Sequence, residues 1–299
     1  MPPVNDQFER TIVAPAICAG VGVHTGRRVR LAIRPAAPGS GITFVRTDVR
    51  DHDNRIPVSG EAVVDARLNT MIENAAGVRL STIEHLMAAF AALGVSNAVV
   101  EVDGPELPIL DGSALPFVQL LDRAGFRGQD AFQRVIEILE PIRVEEGDKS
   151  AALLPCDRYE MRFEIDFPTP VIGNQVVDFV VDERTFRHEI MAARTFGFAH
   201  EVEALRQAGL ARGGSLENAV VIDGDVILNP GGLRMEREFV RHKALDAIGD
   251  LYVLGAPLLG RYEGVKAGHA LNNQLVRALL ANPQAWRIVT RAPELALAC

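Results

Sequence analysis

In EFVRHKALDAIGDL (238–251), His242, Asp246 and Asp250 recur at every fourth residue. On a helix that step stacks them along one face about one turn apart, while Val240, Ala244, Ala247 and Leu251 line another. An imidazole and a carboxylate at i, i+4 can reach one cation, although many exposed helices carry such pairs without a metal. STIEHL (81–86) adds Glu84 and His85. Ser81, Thr82, Ile83 and Glu84 also match a helix capping box, in which Glu84 would only reach back to an amide. His85 sits in the first turn of an otherwise apolar helix, a place often filled by a hydrogen-bonded core histidine. Taken together, two His and one Asp offer three N and O ligands suited to zinc and leave a fourth position for water. That is the composition of a catalytic site rather than a closed structural one. Water there would have its pKa lowered to about 7, and Glu84 could take its proton.

His269, in VKAGHALNN (265–273), lies between small residues that suggest a loop. It is either a surface histidine or an imidazolium held by Asp250, since a nearby carboxylate favours the charged form. Lys243 stands at the edge of the ladder. His24, His52, His188 and His200 show no ligand spacing, and His52 (RDHDN) and His188 (FRHE) read as solvated. ARTFGF (193–198) suits a pocket rim or a strand end with a core Phe. RGGSLENAVV (212–221) is neither a P-loop nor a dinucleotide fingerprint, because the Gly spacing and the Lys are absent.

The elements that must carry these residues follow an α+β pattern. RVRLAIRPA (28–36) alternates polar and apolar residues as a strand does, and GITFVRTD (41–48) follows a Pro/Gly turn. A nearly all-apolar helix spans 82–93 and closes at Gly94. NAVVEVDG (97–104) is a further strand, and GPELPILDGSALPF (104–117) is turn-rich. Polar GFRGQDAFQ (125–133) reads as a linker. Beyond it the pattern restarts: RVIEILEPIRVEEGDK (134–149) follows the order of RTIVAPAICAGVGVHTGRR (10–28). IEHLMAAFAALG (83–94) likewise corresponds to VRHKALDAIGDLYVLG (240–255). The expected domains are 1–126 and 127–299, two copies of one unit with a ligand cleft between them.

The 299 residues, 48% hydrophobic and 23% charged, suffice for a sizeable core. A net charge of −8 argues against a nucleic-acid partner. Cys18, Cys156 and Cys299 are odd in number and form no CxxC pair, so neither a disulfide framework nor a thiolate zinc site is expected. MPPVNDQFER lacks the apolar core of a secretory signal, and LMAAFAALGV (86–95) is too short to span a bilayer. The expected location is the cytoplasm, with no stable membrane anchor.

These segments, in this order, resemble the UDP-3-O-acyl-N-acetylglucosamine deacetylase family, the zinc amidase of lipid A synthesis in Gram-negative bacteria. The matching pieces are GVGVHTG (20–26), STIEHLMAAF (81–90), PELPILDGSALPF (105–117), ARTFGF (193–198), EFVRHKALDAIGDL (238–251) and GHALNN (268–273). The resemblance implies two α+β domains, each a helix pair on a sheet, arranged as a sandwich with the site at their junction. It implies His85, His242 and Asp246 as ligands of zinc, with iron(II) as an alternative ion, and Glu84 as general base. His269 would be the charged partner that stabilises the oxyanion and protonates the leaving amine, oriented by Asp250. Thr195 would donate to the oxyanion, and Lys243 and Phe196 would contact the substrate. An insert in the second domain, around DFPTPVIGNQVVDFVV (166–181), would line a passage for the acyl chain. The reaction implied is release of acetate from UDP-3-O-acyl-N-acetylglucosamine by a monomer. Some members carry a Cys ahead of the STIEH motif; the matching position here is Asn69, in ARLNTMIEN (66–74), so a thiol-linked effect does not carry over. The alternatives are a non-catalytic nucleotide-sugar-binding module on the same fold and another zinc hydrolase. The chain contains no H-E-x-x-H to support a peptidase.

Overall fold

The computed structural model describes residues 7–290. The expectations for residues 1–6 and for Cys299 lie outside that range. In the first half the chain forms β1 (Phe8–Ile12), β2 (Ala16–Val21), β3 (Arg28–Pro35), β4 (Ile42–Arg46) and β5 (Arg55–Pro57). Short strands β6 (Val63–Asp65), β7 (Met71–Glu73) and β8 (Arg79–Leu80) precede helix α1 (Glu84–Ala92), strand β9 (Ala98–Val102) and helix α2 (Leu115–Ala124). The second half adds β10 (Phe126–Phe132), β11 (Arg134–Ile138), β12 (Ile142–Glu146), β13 (Lys149–Leu154), β14 (Tyr159–Asp166) and β15 (Asn174–Val180). A short helix α3 (Glu183–Thr185) leads to β16 (Phe196–Phe198), α4 (Ala199–Gln207), β17 (Val220–Asp223) and β18 (Val226–Ile227). The chain then runs through α5 (Glu238–Tyr252), β19 (Leu258–Val265), α6 (His269–Leu280) and β20 (Trp286–Thr290).

The two main sheets repeat one topology. Their orders are β2-β3-β9-β4-β5 and β12-β13-β19-β14-β15, the second extended by β11 and β20. β9 runs antiparallel to β3 and parallel to β4, and β19 likewise runs antiparallel to β13 and parallel to β14, with β11 a further parallel partner. The duplication suspected from the order of motifs is therefore present in strand order and sense. Alternation dictates which face is buried: Val29, Leu31 and Ile33 of β3 point inward, and Arg28, Arg30 and Arg34 outward.

Helices α1 and α2 belong to the first half, and α5 and α6 to the second. α5 lies on β14 and β15, α6 on β12 and β13, and α1 packs against α5 across the junction. This explains why α1 is apolar all round: Leu86, Met87, Ala88, Ala89 and Phe90 are fully buried. Each half also carries a small three-stranded sheet, β6-β7-β8 in the first and β16-β17-β18 in the second.

The stretch 125–133, read as a linker, is largely strand β10, which pairs antiparallel with β1. Its alternating, mostly exposed residues made a half-wet strand look like a polar connector.

Candidate metal centre and active site

α1 begins at Glu84 with no side-chain cap, so the capping box expected at Ser81 does not form. Thr82 adopts φ 60°, a left-handed conformation that costs a β-branched residue energy. Its hydroxyl donates to Glu106 Oε1 at 3.2 Å. The fully buried Glu106 carboxylate also accepts the backbone N–H groups of His24 and Thr25, at 2.8 and 2.9 Å. One carboxylate thus ties the GVGVHTG turn to the start of α1. Glu84 is left to face inward, where its Oε2 accepts the Thr70 N–H at 3.0 Å.

α5 starts at Glu238, whose fully buried carboxylate accepts Arg194 Nε at 2.7 Å and the Arg234 N–H at 2.7 Å. Burial alone would raise this carboxyl; the bonds from Arg194 and the backbone hold it below its ordinary range. The same clamp fixes ARTFGF against α5. One residue from Arg194, the Ala193 carbonyl accepts His242 Nδ1–H at 3.1 Å. A carbonyl only accepts, so Nδ1 carries the proton and Nε2 faces the junction free to ligate.

At that junction His242 Nε2 stands 3.4 Å and His85 Nε2 3.5 Å from the same oxygen, Asp246 Oδ1. The two rings meet edge to face, with centroids 5.1 Å apart. Ligand atoms from the three residues lie within 4.8 Å of one another, and all three side chains are buried. Asp246 Oδ1 is buried and makes no hydrogen bond. A buried carboxylate oxygen without a donor, facing two imidazoles, fits a divalent cation. Burial pushes His242 down to about 4, which keeps it neutral as a ligand must be. Burial would raise Asp246, but His242, Lys243 and His269 hold it well below the carboxylate range. Its Oδ2 accepts Lys243 Nζ at 2.6 Å.

The other expected residues surround this centre. His269 opens α6, and its Nδ1 lies 2.9 Å from Asp250 Oδ2. Burial opposes its charge, yet Asp250 and Asp246 outweigh burial and raise His269 to about 9. Burial raises Glu84, against the opposing pull of His269 and His85. Thr195 is held by its N–H to the Gly112 carbonyl at 2.8 Å. Gly112 must be glycine there: φ is +83°, and a Cβ would sit 2.0 Å from the Asn218 carbonyl. The DGS turn of PELPILDGSALPF thereby supports the loop that carries Thr195.

A cavity of about 460 Å³ opens onto Glu84, His85, Thr195, Phe196, His242, Asp246 and His269. Its apolar extension is walled by Phe198, Val202, Leu205, Leu216, Ala219 and Val221, from β16, α4, β17 and their connection. No residue of 166–181, the segment expected to line a passage, is among those that line this cavity. Of that segment, Phe167 comes close, with its ring 5.7 Å from that of Phe196; β15 belongs to the outer edge of the main sheet. Lys243 and Asp250 do not line the cavity but stand behind Asp246 and His269. Sequence reasoning missed His24, which lines the cavity, and Glu106, which positions it. The signal was the glycine frame: a Cβ on Gly22 would lie 2.2 Å from Glu106 Oε2.

Comparison with known proteins agrees with this geometry. The profile of the family described as UDP-3-O-acyl N-acetylglycosamine deacetylase matches residues 9–281. The chain is 66% identical over 289 residues to the UDP-3-O-acyl-N-acetylglucosamine deacetylase of Phenylobacterium zucineum, covering 97% of this chain and 99% of that protein. It is 51% identical to the protein of the same name from Shewanella sp. strain W3-18-1 (96% and 94% covered) and 50% identical to that of Shewanella oneidensis (96% and 94%).

Proposed function

The chain belongs to the UDP-3-O-acyl N-acetylglycosamine deacetylase family, and from that premise we propose how its residues divide the work of the reaction. The protein is a metal-dependent deacetylase of lipid A biosynthesis that hydrolyses the N-acetyl amide of UDP-3-O-acyl-N-acetylglucosamine. The reading as a non-catalytic nucleotide-sugar-binding module is not favoured.

We assign the ion as zinc, iron(II) being the alternative, held by His85, His242 and Asp246. The observation that carries this is the unpartnered Asp246 Oδ1 facing two imidazole nitrogens. When bound, the ion supplies Lewis-acid activation of water. Glu84 accepts the proton from the attacking water; burial raises its affinity for that proton. The Thr195 hydroxyl and the His269 imidazolium face the negative charge that develops on the acetyl oxygen. His269 then gives its Nε2 proton to the departing amine as the C–N bond breaks, leaving acetate and the free amino sugar. Asp250 keeps His269 charged and oriented. Lys243 neutralises Asp246 from behind the cavity, and Phe196, which lines it, meets the substrate. The acyl chain runs along the wall of β16, α4 and β17.

We propose that the protein acts as a monomer, since one chain supplies every residue of the site, and that it works in the cytoplasm as the family resemblance implies. No helix among the described residues is long and apolar enough to cross a membrane.

Titrating the chelated protein with zinc tests the ligand set. Saturation at one ion per chain is expected, with binding lost in His242→Ala. Undiminished binding in the double variant H85A/H242A would remove these ligands from the account.

A further inference from the structure

Thr70 precedes β7 and is buried at the junction of the two halves. It touches both carboxylates that serve the reaction from opposite halves of the molecule. Its N–H donates to Glu84 Oε2 at 3.0 Å, and its hydroxyl donates to Asp250 Oδ1 at 2.6 Å. The second contact links residues 180 apart in the chain. His269 Nδ1 straddles the carboxylate, 2.9 Å from Oδ2 and 3.1 Å from Oδ1, and Asn272 Nδ2 donates to Oδ2 at 2.8 Å. Tyr262 fixes the Asn272 amide by donating its hydroxyl to Oδ1 at 2.6 Å.

A carboxylate free to rotate about its last bond would let the His269 ring swing. Here each Asp250 oxygen has its own donor, so the carboxylate plane is set and the ring with it. Asn272 and Tyr262 belong to the same half as Asp250; Thr70 belongs to the half that holds Glu84. We infer that Thr70 is a positioning residue for the deacetylase reaction, setting the base of the first half and the Asp250–His269 pair of the second half in one register through its two donors. The inference rests on the deacetylase reading given above. It makes the distance between the base and the acid a property of one side chain rather than of domain docking alone.

Thr70→Val keeps the shape and the N–H and removes only the hydroxyl donor. In the zinc-loaded enzyme kcat is expected to fall roughly 10- to 100-fold, with KM and zinc content unchanged, and Thr70→Ser is expected to restore most of it. Thr70→Ala repeats the comparison with a smaller side chain should valine crowd the site. A second readout needs no turnover: the downfield proton resonance of His269 Nδ1–H should shift in Thr70→Val and return in Thr70→Ser. Wild-type kcat in Thr70→Val, a loss confined to KM or metal content, or an unmoved resonance would overturn the inference. If the wild type itself releases no acetate, the deacetylase reading fails, and the resonance still decides what Thr70 does.

Discussion

Gly249 meets the Glu84 carbonyl where α5 crosses α1, and a Cβ on Gly249 would stand 2.0 Å from that oxygen. The helices touch backbone to backbone, which brings His85 of one within reach of His242 and Asp246 of the other. Alanine in a helix is ordinarily favoured over glycine by about 1 kcal/mol. Here Gly249→Ala must part the helices, so the sign reverses. A loss of roughly 1–3 kcal/mol in urea unfolding is expected, together with weaker zinc binding. A gain in stability with unchanged affinity would show that the crossing yields freely.

Glu84→Gln retains an oxygen for the Thr70 N–H and removes the base. Zinc should stay bound while kcat falls roughly 10²- to 10⁴-fold. His85→Ala should do the reverse at the first step and lose the metal. Near-wild-type turnover by Glu84→Gln would reduce Glu84 to a structural residue.

The dependence on pH follows from two opposite needs. Glu84 must be unprotonated to accept a proton, and burial raises it from its ordinary value against the pull of His269 and His85. His269 must be protonated to donate one; burial works against that, but Asp250 and Asp246 lift it to about 9. Activity therefore rises with pH as Glu84 ionises and falls as His269 loses its proton near pH 9. The profile of kcat/KM should be a bell whose alkaline limb disappears in His269→Gln. A profile with no alkaline fall by about pH 10.5 contradicts the role of His269, and one with no acid limb contradicts the role of Glu84.

Ala219 is a small residue in the apolar wall of the cavity. Ala219→Phe should obstruct the acyl passage and raise KM for a long-chain substrate roughly 10-fold or more, while a substrate with a short acyl chain keeps its KM. Equal losses for both would place the acyl chain elsewhere.

Much of this was legible in the sequence because local periodicity carries it. The four-residue ladder put His242, Asp246 and Asp250 on one face by helix geometry alone, and the alternation of β3 predicted its buried side. What pattern could not supply was the crossing of α1 and α5, which joins His85 to that ladder and depends on Gly249 far along the chain. The capping box failed because its residues match locally while Glu106 pulls Thr82 into a left-handed turn. Alternating apolar residues suit an edge hairpin and a passage equally, so 166–181 alone does not tell the two apart. β10 reads as a linker in the sequence because an exposed strand and a polar loop share one composition.

The decisive measurement is acetate release from UDP-3-O-acyl-N-acetylglucosamine by the purified protein before chelation, after it, and after zinc is restored. Release is expected that chelation abolishes and zinc returns. A folded, zinc-loaded protein that releases no acetate would contradict it.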